Sequence, residues 1–142
     1  MAVPTGYNSV AAYLIAPEAE AIVALATEAF GATPVEEPMR MPDGRLAHVT
    51  LRIGDSTVMV SEPGEGMGAQ TAMLHLYVED CDAAHARALA AGASEEMPPA
   101  DQPHGDRAGM VRDAGGNLWW IATQKEVLST DEIVRRMTAN DA

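Results

Sequence analysis

Cysteine is almost missing from this chain: Cys81 stands alone among 142 residues. A lone thiol excludes an intrachain disulfide and a cysteine-built zinc cluster, and it fits a reducing compartment. Aromatics are scarce at 4%, so nine Met and abundant Ala must supply the apolar quota. Basic residues are few, 9 Lys and Arg against 21 Asp and Glu, for a net charge of -12. That balance argues against nucleic acid and anionic membrane as partners. It permits a cationic ligand, although a plain acidic surface is the commoner meaning of such a balance. No stretch reaches the apolar length of a membrane span. The start, MAVPTGYNSV, lacks a basic region followed by an apolar run, so no signal peptide is visible and a cytoplasmic location is expected.

What the chain does have is a dense stretch from Gly105 to Thr123, GDRAGMVRDAGGNLWWIAT. It reads as a β-hairpin in which Arg107–Arg112 leads into an Asp-Ala-Gly-Gly-Asn turn and Leu118–Ile121 returns. Gly115 and Gly116 are expected to supply the positive φ of the reversal. Trp119 and Trp120 point to opposite faces of their strand, which must then be covered on both sides. Trp119 is assigned to the core beneath helices.

Before this hairpin the chain says much the same thing twice. Ser9–Ile15 reads as a strand, and a helix opens at Pro17-Glu18, runs to about Phe30 and stops at Gly31. A short strand at about 34–39, a Pro42-Asp43-Gly44 turn, and strands 46–53 and 56–61 around Gly54-Asp55 complete the first unit. The glycine-rich connector 63–70 has no Lys-Ser/Thr behind it, so it does not read as a phosphate loop. A strand at 72–78, a helix capped by Asp80 or Asp82 and ending at Gly92, and a segment with Met97-Pro98-Pro99 then lead into the hairpin. Gly31 and Gly92 lie 61 apart, and Arg52 and Arg112 lie 60 apart. Landmarks recurring at one spacing indicate a duplicated βαβββ unit. A capping box, Ser129 to Glu132, opens a last helix at about 130–138.

This duplication, the GD-R-G-V-RD-GG-LWWIAT ending and the central PDGRLAHVTLRIGDS stretch together resemble the vicinal-oxygen-chelate superfamily, the group of glyoxalase I, bleomycin-resistance proteins and ring-cleaving dioxygenases. Its PhnB-like bacterial branch looks nearest. The resemblance spans roughly Ser9 to Thr123. It implies an α+β fold: two tandem βαβββ modules, about 8–62 and 71–124, whose sheets curve into a cup with helices outside. The whole chain would form one such domain, usually within a homodimer. Metal-using relatives carry one ligand on the first and last strand of each module. Matched onto this chain, those places are Ala11, Met73, Val60 and Trp120, so the resemblance implies no metal and no cofactor here. A slip of two residues would bring His75 and Glu62 closer, still one ligand short of a catalytic zinc site.

Helices should cover the more apolar face of each strand. That leaves His48, Thr50, Arg52, Met73, His75, Tyr77, Ala108, Met110 and Arg112 for the cup. The family match adds Tyr13, Val58, Val60, Leu118 and Trp120. The expected ligand-binding set is Tyr13, His48, Arg52, Met73, His75, Tyr77, Met110, Arg112 and Trp120. Apolar walls with a few polar groups describe a small-molecule site. Arg52 and Arg112 either pair with nearby acids or clamp an anion. His48 and His75 are structural histidines or, in an enzyme, the base. His85 is expected at the surface, and His104 in a solvated loop. Cys81, near a helix start, sits where a thiolate is favoured.

Two functions follow as expectations. One is a metal-independent binder that sequesters an amphipathic or cationic compound, as in drug or toxin resistance. The other is a lyase, isomerase or dioxygenase using His48 or His75, or a metal site in another register.

Overall fold

The computed structural model describes residues 2–140. The first unit comprises β1 (Ala12–Ile15), α1 (Ala19–Phe30), β2 (Thr33–Pro34), β3 (Met39–Arg40), β4 (Leu46–Ile53) and β5 (Ser56–Ser61). The second comprises β6 (Met73–Tyr77), α2 (Cys81–Ala90), β7 (Ser94–Asp101), β8 (Asp106–Arg112) and β9 (Leu118–Gln124). The last element is α3 (Thr130–Asn140). The strands form two mixed sheets, in the orders β1-β5-β4-β2 and β6-β9-β8-β7, with β3 also pairing with β4. Each sheet has one parallel pair, β1 with β5 and β6 with β9. The architecture is α+β with open curved sheets. Strands β1 and β6 end their sheets and are not hydrogen-bonded to each other.

The first strand begins at Ala12 rather than Ser9, and the strand expected at 34–39 is two short pieces. Pro34 and Pro38 cannot donate to a ladder, and the register of β3 on β4 shifts between Met39 and Arg40.

Helices α1 and α2 cover one face of the sheets. Helix α1 buries Ile22, Leu25, Ala26 and Ala29 at 2% exposure or less. Each large aliphatic side chain there contributes about 1.5–3 kcal/mol. Gly31 ends the helix in the left-handed conformation, φ 69°. Asp80 caps α2 by accepting the Ala83 N–H at 3.1 Å. Phe30 from α1 lies 4.9 Å, ring to ring, from Trp119 on β9, so one core serves both units.

Three expectations are corrected. Of the two glycines in the turn between β8 and β9, only Gly116 has positive φ (90°). Gly115 is required for space, since a Cβ there would stand 2.7 Å from Ile22 Cδ1 and 2.9 Å from Ala16 Cβ. His85 is buried, not superficial: Nε2 meets Glu95 at 2.9 Å, and Gly109 leaves room beneath the ring. Cys81 is buried as well, and burial pushes its thiol up, away from the thiolate.

Helix α3 is held by charge. Ser129 accepts the Glu132 N–H, Glu132 pairs with Arg135 and Arg136, and Arg136 reaches Glu126 at 2.7 Å. Hydrogen bonds from Arg135 first and Arg136 second hold the Glu132 carboxyl down at about 2 from its usual 4.5. A depressed carboxyl favours the folded helix above pH 4.5 and ceases to do so as pH falls toward 2. An NMR titration of the Glu132 carboxyl carbon should therefore have its midpoint near 2; a midpoint at 4.5 would mean the pairs do not hold in solution.

Candidate functional site

Strand pairing decides which side chains share the face away from the helices. On β1, β4 and β5 the register Tyr13↔Met59↔Thr50 and Thr57↔Arg52 puts Tyr13, His48, Thr50, Arg52, Thr57 and Met59 on that face. Val58 and Val60, expected there from the family match, face the helices instead, at 7% and 0% exposure. In the second unit, His75↔Trp120↔Met110 and Met73↔Leu118↔Arg112 place Met73, His75, Tyr77, Met110, Arg112 and Trp120 together. All nine expected binding residues thus lie opposite the helices.

The misplaced valines have a geometric cause. Arg52 pairs with Thr57, whereas Arg112 pairs with Leu118. The second unit's turn is one residue longer, so beyond it the repeat offset becomes 61. One residue of slip exchanges the faces of a strand. The counterpart of Trp120 is therefore Met59. Carried through this register, the four ligand places that the resemblance implies fall at Ala11, Met73, Met59 and Trp120. Two thioethers, a methyl and an indole do not fit a hard or borderline cation. Among the described residues, no three His, Cys, Asp or Glu side chains gather as a metal site. Glu62 is occupied by the Leu46 N–H.

The nine residues form two half-sites. In the first, Tyr13 Oη lies 2.9 Å from His48 Nδ1, and His48 Nε2 lies 2.9 Å from Thr50 Oγ1, so both ring nitrogens are engaged. Arg52 donates to the Gly6 carbonyl and has no carboxylate partner among the described residues. Tyr13 also borders a hollow of 450 Å³ with Arg45, Glu62, Met67 and Gln70.

In the second half-site the rings of Tyr77 and His75 are 4.7 Å apart, and those of His75 and Trp120 6.2 Å. Neither nitrogen of His75 has a hydrogen-bond partner among the described residues. A cleft of 460 Å³ between the units runs past Met73, His75 and Tyr77 to Asp55, Ser56 and Thr57. Arg112 is neutralised by Glu96 at 2.7 Å. Trp120 Nε1 is covered and unpartnered among the described residues, unlike Trp119 Nε1, which donates to Asp113 at 2.9 Å. An unpaired buried donor costs about 1–3 kcal/mol, which a phenylalanine filling the same space would avoid.

A carboxylate not expected from the sequence stands at the end of this ladder. Asp106, 3% exposed, accepts from Tyr77 Oη at 3.0 Å and from His104 Nε2 at 3.2 Å. The bond to Asp106, the largest cause, raises the Tyr77 hydroxyl above its ordinary value. Continuing the alternation Arg112, Met110, Ala108 one step back reaches Asp106, so its face was readable. The approach of Tyr77 and His104 from another strand and a loop was not.

The family model for the Glyoxalase/Bleomycin resistance protein/Dioxygenase superfamily matches residues 7–121. An uncharacterized protein of Mycobacterium bovis, Mb0911c, is 33% identical over 138 residues, covering 89% of this chain and 90% of its own. Among solved structures, TioX from Micromonospora sp. ML1 superposes with a TM-score of 0.67 at 28% identity, over 82% of this chain and 98% of that one. Lactoylglutathione lyase from Agrobacterium tumefaciens shares the fold, with a TM-score of 0.60 at 21% identity, over 82% and 94%.

Proposed function

Since the chain belongs to the glyoxalase/bleomycin resistance protein/dioxygenase superfamily, we propose that it is a metal-independent binder of an amphipathic small molecule. Membership of the PhnB-like branch is part of this proposal. The observation that carries the reading is the set Ala11, Met73, Met59 and Trp120 at the four ligand places. Buried apolar area, ring stacking and adaptable methionines would supply affinity without chemistry. The covered, unpartnered indole N–H of Trp120 supports a ligand platform over plain filler. Of the two histidines suited to an enzyme, His48 has both nitrogens engaged, which leaves His75 as the freer base.

The two half-sites are proposed to be completed in a homodimer. Tyr13, Met73 and Tyr77 are 41%, 59% and 60% exposed, an aromatic and methionine surface that a second copy would cover.

Native mass spectrometry of the purified protein tests these points together. The expected result is a dimer without stoichiometric divalent metal that retains a small organic molecule. Trp120→Ala should lose that adduct, with affinity falling about tenfold or more. Stoichiometric nickel, zinc, iron or manganese in the wild-type dimer would overturn the reading.

A further inference from the structure

The Asp106 cluster has spent its donors internally. Tyr77 gives its hydroxyl hydrogen to Asp106, and the carboxylate fixes His104 Nε2 as the second donor. What remains on the carboxylate and the phenol accepts: Asp106 Oδ1 and a Tyr77 Oη lone pair. A ligand group that meets these two oxygens must therefore donate.

The charge has the same sense. Asp106 has no Arg or Lys partner among the described residues. Being 3% exposed, its charge is little screened by solvent. It lines a cleft of 510 Å³ with Asp101, Gln102, Lys125, Glu126 and Arg136. Asp101 is spent on Arg107, and Arg136 on Glu126 and Glu132. Lys125, the chain's only lysine, has no ion-pair partner among the described residues and competes from an exposed, flexible stem. Through the Tyr77 hydroxyl bonded to it, the carboxylate adjoins the Tyr77–His75–Trp120 ladder, whose ring faces are the kind of surface that attracts an organic cation.

We propose that Asp106, with Tyr77 and His104, forms a head-group site for a protonated amine whose aromatic or apolar body lies along the Tyr77–His75–Trp120 ladder. The assignment rests on the second unit's concave face being a binding surface, and it commits that surface to one ligand class.

Three probes with the same ring separate the charges: tryptamine, tryptophol and indole-3-propionate, titrated calorimetrically at low salt. Tryptamine should bind at least about tenfold more tightly than tryptophol, and indole-3-propionate more weakly still. Asp106→Asn should bring tryptamine to within about twofold of tryptophol. Lys125→Gln, at an exposed position, should tighten tryptamine about two- to threefold and leave tryptophol unchanged. Equal affinity for all three probes, weakened throughout by Trp120→Ala, would overturn the amine site and leave the binder standing. No binding of any probe would overturn both. Preference for tryptamine persisting in an Asp106→Asn protein that melts like the wild type would also overturn the site. If Asp106→Asn does not fold, an unchanged tryptamine affinity in Lys125→Gln does so.

Discussion

Asp113→Ala should cost about 4 kcal/mol of folding stability and lower the melting temperature by more than about 10 °C. Asp113 is 5% exposed at the head of the β8–β9 turn. Its Oδ1 accepts the N–H groups of Gly115 and Asn117, each at 2.9 Å. The Asn117 side chain donates to both oxygens, at 3.1 and 3.0 Å, and Trp119 Nε1 reaches Oδ2 at 2.9 Å. Among the described residues no cation balances the charge, so these donors solvate the carboxylate. Alanine would strand two backbone donors, a carboxamide and an indole in the interior. The damage would spread, because Asn117 Oδ1 accepts the Ala72 N–H and so ties the turn to the start of β6. Asp113→Asn should lose most of the same stability, since its amide turns N–H groups toward existing donors. A double-mutant cycle with Trp119→Phe tests the mechanism. The Trp119 substitution should cost less in the Asp113→Ala background, with a coupling of about 1–2 kcal/mol by chemical denaturation. Additive costs would show that the indole bond contributes nothing.

That turn also explains what could be read from the sequence. The hairpin and the faces of His48, Arg52, Met73, His75 and Tyr77 follow from turn residues and alternation, which are local, whereas Met110 and Arg112 follow from the repeat spacing and Tyr13 and Trp120 from the family resemblance. The repeat offset did not survive the turn, because one additional residue between Arg112 and Leu118 changes parity afterwards. Alternation alone was silent on Val58 and Val60, where both neighbours are compatible with either face. His85 was misread because its burial depends on Gly109, a residue on another strand whose missing Cβ admits the ring. Gly115 was right as a turn glycine for the wrong reason, since its constraint comes from α1. The Asp106 cluster was missed for the same kind of cause: Tyr77, His104 and Asp106 meet only once β6 and β8 are set on either side of β9. Local periodicity carries the faces of strands. It does not carry a contact made possible by a side chain that is absent from a distant strand.

Gly105→Ala should cost about 2–3 kcal/mol, more than Gly44→Ala, although both glycines have positive φ, 100° and 90°. The comparison separates backbone strain from collision. A Cβ at position 44 meets nothing within 4 Å, so alanine there should cost only the strain, about 1 kcal/mol. At position 105 it would lie 2.5 Å from the Glu126 carbonyl oxygen, which is backbone and cannot swing aside. The Gly105 carbonyl also accepts the N–H groups of Lys125 and Glu126, at 2.9 and 3.0 Å, so pushing the two segments apart breaks both bonds. Glu126 holds Arg136, and the displacement should therefore release α3 as well. Amide exchange at Lys125 and Glu126 should accelerate in Gly105→Ala and stay unchanged in Gly44→Ala, and limited proteolysis should remove α3 only from the former. Gly105 stands between His104 and Asp106, so the same substitution should pull the Nε2–Oδ2 bond apart and expose the carboxylate to water. Equal melting temperatures for the two variants would show that the close approach to Glu126 does not tie this end of the second sheet to the helix.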